Sequence, residues 1–122
     1  MKRRNMKRPE DAAQQEVVRH LRTRPMPGVF FFSVPNHKKN ANYLKAMGMV
    51  DGMTDLFIIR DGRPAALEMK AVKGVKSLAQ LACHACLRGA GVEVYTAYGL
   101  PDALQWLEGN GFLKPDVGEI AA

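Results

Sequence analysis

Apolar residues recur along this chain in short blocks whose spacing changes between the periods of helices and of strands. Val17 and Leu21 lie on one helical stripe, whereas residues 29–34 form a compact aromatic and β-branched run bounded by turn residues. The pattern predicts helices at residues 10–24, 39–47, 78–88 and 101–108, and strands at residues 29–34, 55–60, 65–70 and 92–97. The predicted order of elements is therefore α-β-α-β-β-α-β-α.

Local signals fix how several of these elements begin, end and pair. Asp61-Gly62 is a hairpin turn sequence, so the strands on either side of it are expected to pair antiparallel. Ser77 is a candidate N-cap for the third helix, and Gly89 ends that helix. The second helix is expected to turn Tyr43, Leu44 and Met47 inward. A hairpin followed by a helix and a further strand predicts an α/β fold with a mixed sheet and helices on both faces.

Length and composition are those of one globular domain. The chain has 122 residues, of which 47% are hydrophobic and 25% charged. No apolar run approaches the length of a membrane span, and no apolar segment of a secretory signal follows the basic N-terminus. We expect a basic flexible arm at residues 1–9, a single domain at residues 10–113 and a loose tail at residues 114–122.

Charge is distributed unevenly between the two parts of the chain. Residues 1–45 carry 11 basic and 3 acidic side chains, for a balance of +8, and residues 46–122 carry 7 basic and 9 acidic ones, for −2; together they give the formal net charge of +6. A basic segment on a near-neutral body favours a polyanionic partner such as a nucleic acid. The alternative is a solvated terminus with no partner.

Two cysteines, Cys83 and Cys86, are spaced C-x-x-C inside an apolar helical run. We interpret them as two buried small residues, because a thioredoxin-type redox motif lies at a helix N-terminus instead. With His84 they would give three zinc ligands, but no second cluster completes a tetrahedral site. A redox or zinc protein therefore remains one alternative.

Charged side chains interrupt the two apolar strands of the predicted hairpin. Asp55 begins the first strand, and Glu68 and Lys70 lie in the second. Because strand side chains alternate, residues 68 and 70 share one face of the sheet. Pairing residue 60 with residue 65 across the turn places Asp55 opposite Lys70 and diagonal to Glu68. The acids would then be within reach of one shared ion.

This set of residues has two interpretations. One is a salt bridge between Lys70 and an acid, because charged groups in such strands are usually paired. The other is a site in which Asp55 and Glu68 hold Mg²⁺ or Mn²⁺ through oxygen ligands, leaving positions for water and a phosphate oxygen. Lys70 would orient that water or stabilise the pentavalent charge. The second interpretation predicts metal-assisted hydrolysis of a phosphodiester.

Further residues accompany this set: Glu10 and Gln14 in the first helix, Val34-Pro35-Asn36, Met47-Gly48, the run from Asp51 to Leu56, the run from Leu67 to Lys70, and Gln80. With these residues the chain resembles, over residues 10–108, a VRR-NUC domain of the PD-(D/E)XK nuclease superfamily. Thr54 stands where the family usually has proline, which is not a ligand. The resemblance implies a restriction-endonuclease-like core with a mixed central sheet flanked by helices.

The resemblance also implies roles for individual residues. Asp55 and Glu68 would bind the metal together with the backbone carbonyl of Met69, and Lys70 would be the catalytic lysine. Glu10 would add a carboxylate directly or through water; the alternatives are a first-turn acid favoured by the helix dipole, or Glu16 as the helix acid. Gln80 would act beside the catalytic residues, and its alternative is an exposed helical glutamine.

Basic residues on either side of these motifs are candidates for binding nucleic acid. The candidate residues are Asn36, Lys38, Lys39, Lys45, Lys73 and Lys76. Each lysine has an alternative as a solvated loop charge, and Asn36 has one as a turn residue after Pro35.

The resemblance implies a divalent-metal-dependent DNA endonuclease of the small phage or prophage type. Such a protein would act as a homodimer on branched DNA such as four-way junctions, because a two-fold dimer presents two active sites to a two-fold substrate. It would work in the cytoplasm of a bacterium or phage-infected cell. The alternative is a DNA-binding module without catalysis on the same scaffold.

Overall fold

The structure is a computed structural model that describes residues 9–34 and 41–116. Several predicted features lie outside the described residues: residues 1–8 of the arm predicted at residues 1–9, the candidate DNA-binding residues Asn36, Lys38 and Lys39, and residues 117–122 of the predicted tail. The described part contains the predicted elements in the predicted order. They are α1 (Pro9–Thr23), β1 (Phe30–Ser33), α2 (Ala41–Ala46), β2 (Leu56–Arg60), β3 (Arg63–Lys70), α3 (Leu78–Gly89), β4 (Glu93–Tyr98) and α4 (Leu100–Gly109).

The strands form one mixed sheet in the order β1-β2-β3-β4. The two pairs on the β1 side are antiparallel, and β4 runs parallel to β3. Parallel neighbours need a crossover connection, and α3 supplies it between β3 and β4. This arrangement confirms the predicted α/β fold with a mixed central sheet flanked by helices.

The hairpin between β2 and β3 is tighter than the sequence pattern predicted. Asp61 and Gly62 both have positive φ, at 54° and 73°, which is the two-residue turn that Asp-Gly favours. Arg60 therefore pairs with Arg63 rather than with residue 65, so the predicted register is wrong by two residues. Pro64 fits in the strand because β4 pairing begins only at the next residue, so its missing amide proton interrupts no bond to β4.

One face of the sheet carries the apolar core. Alternate side chains of β2, β3 and β4 pack against α1 and α4 on this face. The buried cluster contains Val17, Leu21, Leu56, Ile58, Ala65, Leu67, Met69, Ala97, Ala103, Leu107, Phe112 and Leu113. Because side chains alternate, the residues between these in β3 must point to the opposite face, where α3 lies. This alternation places Glu68 and Lys70 beneath α3.

The α3 face is less completely covered by the described elements. Phe30 and Phe32 of the edge strand β1 are 64% and 42% exposed, although an aromatic strand of this kind is usually core. The prediction for the second helix is also wrong in part, because Tyr43 and Met47 are exposed and only Leu44 is half-buried. Within the described residues, no helix is long and apolar enough to cross a membrane.

Candidate active site

Asp55 lies at the start of β2 and is fixed through both its backbone and its side chain. Its amide donates to the carbonyl of Leu67 at 3.1 Å, and its carbonyl accepts from the amide of Val34 at 3.0 Å. Its Oδ2 accepts a hydrogen bond from the amide of Met69 at 2.7 Å. The carboxylate is therefore held against β3 at the level where the Glu-x-Lys sequence begins.

Glu68 is the neighbour of Asp55 across the hairpin. Continuing the Leu56–Leu67 pairing by one residue brings Asp55 opposite Glu68, not opposite Lys70 as the predicted register implied. Residues directly opposite on antiparallel strands share a face, so both carboxyl groups lie under α3. The correction brings the two acids closer together than the sequence-based register did.

Burial and the neighbouring Asp55 carboxylate both disfavour ionisation of Glu68. Glu68 is only 3% exposed. Burial raises its pKa to about 8, and the neighbouring Asp55 carboxylate adds to this rise. Burial also raises the pKa of Asp55, while the charge of Lys70 lowers the pKa of both acids. Such a pair gains stability from a bound cation, because the cation favours the ionised form that burial opposes.

Gln80 connects the first turn of α3 to Glu68. Its amide nitrogen donates to Glu68 Oε2 at 2.9 Å, and its amide oxygen accepts from the amide of Ser77 at 2.9 Å. The Ser77 hydroxyl in turn accepts from the amide of Gln80 at 3.1 Å, which completes a capping box. Ser77 is thus the N-cap that the sequence predicted, and the cap fixes the rotamer with which Gln80 holds Glu68.

Lys70 ends β3 on the same face as Glu68. Within the described residues it forms no ion pair, so the salt-bridge interpretation is wrong for the described part of the chain. The turn after β3 closes over its stem, since a Cβ on Gly74 would lie 3.3 Å from Lys70 Cδ. A half-buried lysine without an ion-pair partner among the described residues is available to a water or phosphate oxygen.

Gly52 determines how closely the loop before Asp55 approaches α3. It has a φ of 80°, and a Cβ on it would lie 2.3 Å from the backbone oxygen of Ala79 and 2.6 Å from the amide nitrogen of Gln80. No side chain fits in that space. The glycine therefore lets the first turn of α3 lie directly against the loop that leads to Asp55.

Glu10 lies near the site without completing a three-acid cluster. Its carboxylate contributes to the raised pKa of both Asp55 and Glu68. Among the described residues, however, no three His, Cys, Asp or Glu side chains come together as a metal-binding group. Glu16, the other candidate helix acid, forms an exposed ion pair with Arg19 at 2.9 Å.

The donor atoms that remain suit a hard divalent cation. Asp55 and Glu68 supply carboxylate oxygens, and the backbone carbonyl of Met69, the residue directly after Glu68, supplies a third oxygen donor. Mg²⁺ and Mn²⁺ prefer oxygen ligands, and Mg²⁺ is commonly held by one or two carboxylates with water filling the other positions. Glu68 Oε1 is buried and has no hydrogen-bonding partner among the described residues. A cation bound to this oxygen would offset the cost of removing it from water.

The basic residues in the described part differ in their relation to this site. Lys76 is close enough to lower the pKa of Glu68. Lys73 is exposed in the loop between β3 and α3. Lys45 forms an exposed ion pair with Asp51 at 2.9 Å, which reduces its charge as seen by a partner.

The C-x-x-C motif has neither redox nor zinc-site geometry within the described residues. Cys83 is buried and Cys86 is exposed, so the prediction of two buried cysteines is wrong for Cys86. Burial raises the pKa of Cys83, the opposite of what a reactive thiol requires. His84 is buried against Glu68, and its position four residues after Gln80 was the signal that places both on one face of α3.

Comparison with solved structures identifies the fold. A solved structure described as a VRR_NUC domain protein superposes with a TM-score of 0.72 and 19% sequence identity, covering 85% of this chain and 88% of that one. No family model matches the sequence, and no curated protein matches it. At this identity the likeness establishes the fold, which is the fold expected from the sequence resemblance.

Proposed function

Since the chain has the fold of a VRR_NUC domain protein, we propose that it is a divalent-metal-dependent endonuclease that hydrolyses DNA phosphodiester bonds. The observation that carries the proposal is the pairing of Asp55 with the buried Glu68 beside a lysine that has no ion-pair partner among the described residues. A purely structural role would not require a buried carboxyl group whose ionisation is opposed by burial and by a neighbouring carboxylate. A cation site explains that cost.

Each chain residue has a distinct part in the proposed reaction. Asp55 and Glu68, with the Met69 carbonyl, would hold Mg²⁺ or Mn²⁺, which when bound neutralises phosphate charge and favours deprotonation of the attacking water. Lys70 would orient that water or stabilise the charge on the phosphate. Gln80 keeps the Glu68 carboxylate in one orientation through its 2.9 Å hydrogen bond. Glu10 would bind the same cation through water.

The substrate of the proposed enzyme is branched DNA, cut by a homodimer. A net charge of +6 supports a polyanionic partner, and Lys45, Lys73 and Lys76 would contact its backbone. The exposed Phe30 and Phe32 on the edge strand β1 support an interface between two copies. Two related active sites would then face a four-way junction.

Cleavage of matched DNA substrates tests this proposal. A four-way junction, a flap and a linear duplex of the same sequence are incubated with wild type and with Glu68→Gln, in Mg²⁺, in Mn²⁺ and in a chelator. Glu93→Gln is the matched control, because it makes the same change on the neighbouring strand at an exposed ion pair with Arg63. The wild type and control should cut the junction only with metal, and Glu68→Gln should not.

The outcomes separate the competing functions. Cutting without metal would contradict the proposed metal dependence. Equal cutting by wild type and Glu68→Gln would remove Glu68 from the reaction. Junction binding without cleavage in either metal would instead favour the DNA-binding module. Sedimentation of wild type against Phe30→Ser, with Tyr43→Ser as an exposed aromatic control, tests the dimer; a monomeric wild type would rule it out.

A further inference from the structure

A layer of buried polar atoms lies between α3 and the sheet, behind the carboxylate of Glu68. His84 is 1% exposed, and neither of its ring nitrogens has a hydrogen-bonding partner among the described residues. Glu68 Oε1 and the hydroxyl of Thr96, which is the β4 register partner of Glu68, are likewise buried without partners in the described part of the chain. A buried polar group without a partner retains its desolvation cost, so an apolar residue at position 84 would favour folding.

The geometry of α3 directs two side chains at one carboxyl group. Gln80 and His84 are four residues apart and therefore share a helix face. Gln80 donates to Glu68 Oε2 at 2.9 Å, and His84 Nε2 lies 3.7 Å from the other oxygen, Oε1. Hydrogen bonds of the N–H···O type measure about 2.7 to 3.2 Å, so a shift of roughly 0.5 Å completes the second bond.

His84 has a donor to offer in either protonation state. A neutral imidazole carries one N–H, and an imidazolium carries two. Glu68 offers an acceptor at Oε1, on the side that His84 Nε2 faces.

We propose that His84 is a positioning residue for the nuclease site, which donates its Nε2–H to Glu68 Oε1 when a divalent cation is bound. Together with Gln80 it clamps both carboxylate oxygens from one helix and fixes the carboxylate plane. This inference rests on the proposed function. Positioning partners of metal-binding carboxylates typically contribute about 10- to 100-fold to metal affinity or activity.

Calorimetric titration of the DNA-free protein with Mn²⁺ tests the role of His84. His84→Leu should weaken Mn²⁺ binding by about 10- to 100-fold, while its Tm in chelator stays equal to that of wild type or rises. His84→Gln should restore most of the affinity, because its amide nitrogen extends as far as Nε2. His84→Asn, which reaches only as far as Nδ1, should not. His20→Gln, in α1 ten residues after Glu10, is the control.

A spectroscopic measurement checks the proposed hydrogen bond itself. The imidazole ¹⁵N shifts of the Mg²⁺-saturated protein should show His84 protonated at Nε2, with the signal assigned by its loss in His84→Gln. Protonation at Nδ1, or wild-type Mn²⁺ affinity in His84→Leu, would overturn the positioning role. Loss of affinity in all three variants in proportion to lost Tm would also overturn it. A wild type that neither binds Mn²⁺ nor cuts DNA would instead overturn the proposed function, and this inference with it.

Discussion

Replacing Glu68 with glutamine should remove a pH dependence from the stability of the metal-free protein. The pKa of Glu68 rises from its ordinary 4.5 to about 8 in the folded chain, mainly because the group is buried. Between these values the folded protein keeps a proton that the unfolded chain has lost. Stability from this group is therefore fully present below pH 4.5 and is lost as pH rises through about 8.

The magnitude follows from the width of that interval. Each pH unit of it changes the free energy of unfolding by about 1.4 kcal/mol, so the roughly 3.5 units between 4.5 and 8 amount to about 5 kcal/mol. Between about pH 7 and pH 8.5 the remaining loss is about 1.3 kcal/mol, or roughly 5 °C in Tm. The upper interval is the better one to measure, because His20 and His84, whose pKa values are lowered from 6.5, titrate mostly below it.

The assay is thermal and urea unfolding in chelator across this interval. Wild type and Glu93→Gln should lose stability as pH rises, whereas Glu68→Gln should stay nearly constant, since its amide still accepts the hydrogen bond from Gln80. Adding Mg²⁺ at the highest pH should recover stability in wild type and control alone. Parallel profiles for wild type and Glu68→Gln would refute the reasoning, because Glu68 would then ionise in the folded protein as readily as in water.

Three other substitutions separate packing, positioning and burial at the site. Gly52→Ala should lower the free energy of unfolding in urea by at least about 2 kcal/mol, because its Cβ would overlap the backbone of α3. Gly28→Ala is the control: its φ is also positive, but nothing lies within 4 Å of the added Cβ, so the loss of stability should be smaller. Gln80→Glu keeps an acceptor for the N-cap amide but loses the donor to Glu68, so helix stability should persist while calorimetric Mn²⁺ affinity falls about tenfold or more. Thr54→Val removes a buried hydroxyl that has no hydrogen-bonding partner in the described residues. It should raise the free energy of unfolding in urea by about 1 kcal/mol.

The sequence predicted most of the fold because its local signals are strong. Asp61-Gly62 has the conformation that this dipeptide favours, and Ser77 with Gln80 forms a reciprocal cap. The register error came from assigning Arg63-Pro64 to the turn. A proline can enter a strand where no neighbour needs its amide, and that condition depends on where β4 begins.

The candidate site was predictable as a set of residues but not as a geometry. Alternation along β3 was enough to place Glu68 and Lys70 on one face. The contact of His84 with Glu68 depends on which face of α3 meets the sheet, and this is decided by packing between distant segments. The exposure of Tyr43 had a similar origin, because its helix has only six residues and its burial likewise depends on packing against distant segments.

Single-turnover cleavage of a four-way junction by Lys70→Met, compared with Lys114→Met, tests the central claim most directly. Both variants remove one lysine charge, but only Lys70 lies at the end of β3 beside Glu68, and Lys114 is exposed. With Mg²⁺ or Mn²⁺, wild type and Lys114→Met should cut at similar rates, and Lys70→Met should be slower by about 10²- to 10⁴-fold, with no cutting in chelator. Equal rates for the two variants, or no metal-dependent cutting by wild type, would contradict the account.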